Sequence, residues 1–349
     1  MRPQWGNFRR RTIAPKDSRK LRWTLQRFGY SESAIDAAWP GWWSDDAEGS
    51  LSAQNELRFS LARKLGLDPR TLLADEEPQF VWKRKAKFKN LTGQSDQERE
   101  VISAYGMSIG RVLTTASAEV QSLVGTPAGE LRRSILATQP FVRLQDLLGL
   151  CWGVGIPVAH LRVFPLSAKR MCAMSVRTGT RYSVLLGRDA EYPAPIAFYL
   201  AHELGHIAQE HLREEASAVV DLADPLEEGR DVDVDVDVEE LNADAYALEL
   251  LTGEPAPKVT STASKFTAAQ LADNVLQTGP QLHIEPGTLA LVYGHTTKDW
   301  PKVQAALRII YQRPTPVWSE VNRIAAQQLE WAAIADDLQS FVRTVIPDA

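Results

Sequence analysis

The chain has 349 residues and a net charge of −5, from 39 Lys and Arg against 44 Asp and Glu. That length predicts two or three domains with a sizeable core, and 44% apolar with 24% charged residues excludes a wholly disordered or fibrous chain. The charge balance also excludes a protein that coats nucleic acid with its whole surface, although residues 1–22 oppose eight cations to Asp17 alone and residues 221–240 hold ten acids and one Arg.

Cys151 and Cys172 form no C-x-x-C pair, so no disulfide framework is written and a reducing compartment is expected. The basic start precedes no apolar stretch, and the longest uncharged run, near Leu147 to Ala159, is broken by glycines and a proline. A cytoplasmic protein without a membrane partner is therefore expected.

In chain order, helical spacing predicts Asp17 to Phe28 and Ser50 to Leu65, the latter stopped by Gly66 before an Asp68-Pro69 helix start. Trp39-Pro40-Gly41-Trp42-Trp43 lies between them, and five of the ten tryptophans precede residue 44, so indole rings should build the core of this small module. The module reads as a plain helical domain or as a helix-turn-helix that binds DNA. Residues 79–94 interleave basic and aromatic side chains, which suits phosphate contact or, as the commoner case, a solvated linker. Ser95 with Glu98 forms a capping box opening a helix towards Ala118, and Thr126-Pro127 opens another.

From Leu147 the period changes. Ile156 to Phe164 and Tyr182 to Leu186 are β-rich, with a turn at Thr178-Gly179-Thr180, which begins a mixed α+β region. Tyr182 to Leu186 suits either an edge strand to which an extended peptide adds or an ordinary sheet strand. Helices are expected over Pro193 to His211 and Val238 to Leu251, with the alternating acids of Asp231 to Glu240 read as a mobile acidic loop in preference to a calcium site or a strand. Further helices follow over Thr267 to Gln277, Pro286 to Tyr293, Asp299 to Tyr311 and from Val317 onward.

The chemistry is concentrated in His202-Glu203-Leu204-Gly205-His206, an H-E-x-x-H pattern. Two imidazoles four residues apart stand one helical turn from each other, so both can reach a single Zn²⁺ while Glu203 reaches water beside it as general base. Gln209 and Leu212 exclude the metzincin pattern, and His211 on a continued helix would point away. A third ligand is expected downstream, where Glu240, Ala243, Asp244 and Ala247 share one helix face. Glu240 would ligate, with Glu239 the alternative, while Asp244 bonds the distal nitrogen of a ligand histidine. Tyr199, Tyr182, His283 and His295 are the possible donors to an oxyanion. Gly106-x-Ser108-x-Gly110 matches a serine-hydrolase elbow but lies inside a helical pattern, which argues against that role.

These residues make the chain resemble the ImmA/IrrE family of metallopeptidases over about residues 145–255. The likeness rests on Gly155-Ile156-Pro157-Val158, Val184-Leu185-Leu186-Gly187, the Phe198-x-x-Ala201-His202-Glu203-Leu204-Gly205-His206 helix and Glu240-x-x-Ala243-Asp244-x-Tyr246-Ala247. The resemblance implies an α+β, zincin-like core with a small antiparallel sheet and two packed active-site helices, preceded by an all-α module and followed by helices. It also implies zinc held by His202, His206 and Glu240, with Glu203 catalytic. Asp244 stands where the family usually has Asn.

The expected domains are 1–78, a helical module resembling a diverged helix-turn-helix; 79–144, linker and long helices; 145–255, the peptidase; and 256–349, helical. The expected function is a zinc endopeptidase that cuts a repressor or antitoxin-like protein in a phage, stress or toxin–antitoxin circuit. The alternative is a DNA-binding regulator whose peptidase-like domain does not catalyse.

Overall fold

The computed structural model of the chain describes residues 17–83, 86–89, 95–118, 121–167, 171–214, 216–221, 238–259 and 266–348. The basic start to residue 16 and most of the alternating acidic run lie outside the described residues. Four helices open the described chain: α1 (Asp17–Arg27), α2 (Glu32–Ala38), α3 (Leu51–Leu65) and α4 (Pro69–Leu73). Their ends follow local chemistry. Ser31, Ser50 and Asp68 accept from backbone amides as N-caps, and Gly66 ends α3 at φ 76°. A Cβ on Gly66 would lie 2.3 Å from the carbonyl oxygen of Ala104, so the site excludes any side chain.

Strand β1 (Ala86–Lys89) follows, within the segment expected to be a linker. Helix α5 (Asp96–Thr115) carries the predicted capping box, and α6 (Ala128–Leu136) and α7 (Leu144–Gly153) come next. Helix α7 spans Leu147, where the sequence changes period, and ends before the β-rich run expected from Ile156. The strand there, β2 (Val158–His160), has only three residues. Then come β3 (Ala173–Thr178), β4 (Arg181–Leu186), α8 (Pro193–Ala208), β5 (Ala216–Asp221) and α9 (Val238–Thr252). Helices α10 (Ala268–Gln281), α11 (Pro286–Thr297), α12 (Trp300–Tyr311), α13 (Val317–Gln328) and α14 (Asp336–Val345) complete the chain. None of the described helices is long and apolar enough to cross a membrane.

The fold is mixed α+β, and its sheet corrects the antiparallel expectation. The strand order is β1-β5-β3-β4-β2: β3 runs antiparallel to β4 and β5, but β1 pairs parallel with β5 and β2 parallel with β4. A tight turn at Gly179 (φ 63°) joins β3 to β4, whereas the parallel neighbours meet only after long connections, which local patterning does not encode. Arg181–Leu186 is therefore an interior strand and not an edge. At the β2 edge Asn322 of α13, fully buried, accepts from the His160 amide at 2.7 Å and donates to the His160 carbonyl at 2.9 Å. One side chain thus satisfies backbone groups that a bare edge would expose.

Strand alternation divides the sheet between two cores. Met174, Val176, Leu185, Ala218 and Val220 point to the core shared with α5, the N-terminal helices and α14. Ala173, Val184, Leu186 and Val219 point to the opposite core, built around α8. Ser175 and Asp221 have the parity of this second face, which places their side chains under α8. The glycines that resemble a hydrolase elbow serve packing: a Cβ on Gly106 would lie 2.3 Å from Met174 Sδ, and one on Gly110 2.7 Å from Ser183 Oγ and 2.9 Å from Val176 Cγ1. They let α5 lie close on the sheet.

Gly110→Val should lower stability by about 1–3 kcal/mol, because β-branched Val176 and the strand beneath have little room to give. Gly149→Ala, in α7 where an added Cβ meets nothing within 4 Å, should instead be neutral or stabilising by up to about 1 kcal/mol. Thermal melts followed by circular dichroism check both directions.

Candidate metal centre

Helix α8 starts at Pro193 and is buried almost throughout, with the sheet, α7, α9 and α11 packed around it. Leu200, Ala201, Leu204 and Ile207 fill the core, which leaves His202, Glu203 and His206 to be satisfied by neighbouring elements. Gly205 sets how near α9 comes: a Cβ there would lie 3.0 Å from Ala243 Cα and 3.2 Å from Tyr246 Cβ. Ala243 and Ala247 offer the matching small surface, and this contact carries Glu240 and Asp244 to the histidines.

Four side chains converge: His202, His206, Asp221 and Glu240, all buried, each offering one ligand atom within 4.8 Å of every other. His202 Nε2 and His206 Nε2 are 3.0 Å apart, His206 Nε2 is 3.2 Å from Glu240 Oε1, and His202 Nε2 is 3.1 Å from Asp221 Oδ2 and 3.7 Å from Glu240 Oε2. Ligand atoms about 2.0–2.2 Å from a tetrahedral ion lie roughly 3.3–3.6 Å from one another, so these separations bracket the edges of such a site. Asp244 Oδ1 accepts from His202 Nδ1 at 2.9 Å. That bond puts the ring proton on Nδ1 and, in the neutral ring, the lone pair on Nε2, directed at the other ligand atoms. The donor set therefore fits a metal ion: nitrogen lone pairs and carboxylate oxygens face each other, and among the described residues Asp221 Oδ1 has no hydrogen-bond partner. The cluster can hold a metal ion.

Glu203 sits beside the cluster, fully buried, where Ser175 Oγ donates to its Oε2 and, among the described residues, its Oε1 has no hydrogen-bond partner. Burial pushes the Glu203 carboxyl well above the usual carboxylate range, and the negative charge of Asp221 pushes the same way. Burial also works against charge on Asp221 and on His202. Their mutual attraction outweighs it, holding Asp221 below its ordinary value and His202 well above.

The structure brings together His202, Glu203, His206, Glu240 and Asp244 as the sequence predicts. It separates the two candidate third ligands: Glu239, one residue from Glu240 and so rotated about 100° around the helix, pairs with Lys87 of β1 at 2.8 Å and with Arg213 at 3.6 Å. Helix α8 ends at Ala208 and not at His211. Glu210 takes φ 59°, and the chain folds back so that the His211 and His206 Nδ1 atoms lie 2.8 Å apart. His211 therefore supports a ligand from behind, contrary to its expected outward direction. The oxyanion candidates are dispersed. Tyr199 and Tyr182 are buried in the α8 core, His295 is exposed near the end of α11, and His283 is exposed with its ring on the Pro140 carbonyl at 3.0 Å.

Sequence reasoning missed Ser175, Asp221 and the supporting role of His211. The signal for Asp221 is the Ala216-Ser-Ala-Val-Val-Asp221 run, a short strand overshadowed by the acidic stretch that follows it. Comparison of the chain with family models, curated proteins and solved structures finds no match.

The full chain should bind one divalent ion. Asp244→Ala should weaken binding by about 10–100-fold, since the His202 ring loses the bond that orients it. Glu239→Ala should leave affinity nearly unchanged. Competition with a chelating metal indicator measures all three.

Proposed function

We propose that the chain is a zinc-dependent endopeptidase with a zincin-like core, acting on a regulatory protein of repressor or antitoxin type. The observation that carries this reading is the meeting of His202, His206 and Glu240 at one point with Glu203 beside it, while Asp244 sets the tautomer of His202. These donors suit Zn²⁺, which accepts imidazole and carboxylate ligands at tetrahedral spacing. An ion held there would act as a Lewis acid towards a peptide carbonyl.

The remaining chemistry belongs to side chains. Ser175 engages Oε2 of Glu203, so Oε1 is the oxygen placed to take a proton from attacking water and return it to the leaving amine. The resemblance of the H-E-L-G-H helix and of the Glu240-x-x-Ala243-Asp244 helix to the ImmA/IrrE family supports the peptidase reading, and that likeness alone supplies the class of protein substrate.

Glu203→Gln should keep its metal and lose about 10²–10⁴ of cleavage rate, because the amide preserves shape without accepting a proton. Metal analysis of the purified variant, with a search for new protein termini after incubation with a cell extract, measures both. Unchanged cleavage by Glu203→Gln overturns the proposal. A stable stoichiometric complex with no new termini, even from the wild-type chain, would assign the domain a binding role instead.

A further inference from the structure

The ligand cluster has one member too many for an ordinary hydrolytic site. Catalytic zinc centres use three protein ligands and leave a fourth position for water, whereas structural centres are closed by four. Here the fourth corner holds Asp221 Oδ2, at 3.1 Å from His202 Nε2. We propose that Asp221 is a fourth protein ligand that closes the metal site of the resting protein, so that the site opens only when this carboxylate leaves and water takes its place. The inference rests on reading the cluster as a metal centre, and it adds latency to that reading.

Three observations support it. First, Asp221 is delivered by a rigid element and not by a loose chain. Its backbone pairs with Ala173 across the β3–β5 ladder and its carbonyl accepts from the Cys172 amide at 2.8 Å, so the carboxylate is aimed before any ion arrives. Second, the residue is only 5% exposed and, among the described residues, its Oδ1 has no hydrogen-bond partner, so a cation in the cluster would join the His202 ring in offsetting the burial of this carboxylate. Third, the charges close. Two neutral imidazoles and the carboxylates of Asp221 and Glu240 match the charge of a divalent ion.

Opening is a ligand exchange with no redox step. The Asp221 oxygen leaves the ion, one water enters, and the carboxylate retains its charge. Because the strand backbone is held on both sides, the movement falls to side-chain torsions.

The test uses the full chain loaded with one equivalent of Co²⁺ and titrated with azide, followed by visible absorption. The wild-type spectrum should not respond to azide. Asp221→Ala and the isosteric Asp221→Asn should hold cobalt at least about tenfold more weakly and show azide-dependent band shifts, because a coordination position has opened. Variants that keep the wild-type circular dichroism but retain no cobalt also support Asp221 as a ligand. Wild-type protein that retains cobalt and responds to azide as readily as Asp221→Ala overturns the proposal and leaves the metal centre standing. Wild-type protein that retains no cobalt overturns both.

Discussion

The close approach of α8 and α9 is the constraint on which the rest depends. Gly205 against Ala243 and Tyr246 brings two helical backbones together, and that contact accompanies the burial of two histidines and two glutamates. Such a group of ionisable side chains is tolerated only if opposite charges, oriented dipoles or a bound cation offset its desolvation. The same contact that stabilises the helix pair by apolar packing therefore gathers at its polar end a cluster that could hold a metal ion.

The sheet supplies the second half of the site by parity. Ser175 and Asp221 lie on adjacent strands and face the same side as Ala173 and Val219, so the carboxyl of Glu203 and the imidazole of His202 meet partners fixed to a five-stranded sheet. The sheet is in turn held by α5, whose Gly106 and Gly110 admit Met174, Val176 and Ser183 against the helix. Stiffness of this kind preorganises a site, because each polar side chain enters a geometry set by packing and loses little freedom when it engages a ligand. Arg132 extends the frame on the far side: its guanidinium donates to the carbonyls of Leu250 and Leu251 at the end of α9 and to that of His283, tying α6, α9 and the turn before α11 together.

Two layers of support surround the converging atoms. Asp244 and His211 engage the distal nitrogens of the two histidines, and Ser175 holds one oxygen of Glu203. Each fixes the orientation of a group that, unsupported, would sample several rotamers. Lys87 pairs with Glu239 and so links β1 to α9 one residue before Glu240. The neighbouring carboxylates thus separate by helical phase, one bound at the surface and one buried in the cluster.

What the sequence by itself determined is local. The H-E-x-x-H spacing, the small-residue face of α9, the caps of α3, α4 and α5 and the turn at Gly179 all depend on residues within a few positions of one another, and all are present in the structure. For the same reason His202, Glu203, His206, Glu240 and Asp244 could be assigned to one site: two amphipathic helices with complementary faces have few ways to meet. The tertiary structure alone decided what depends on distant pairing. It made the sheet mixed, turned residues 86–89 from linker into a strand, folded His211 back and placed Asp221 beside His202. The physical reason is that period-two alternation specifies which way a side chain points but not which strand lies beside it, and a ligand carried by a strand is located only once that neighbour is known.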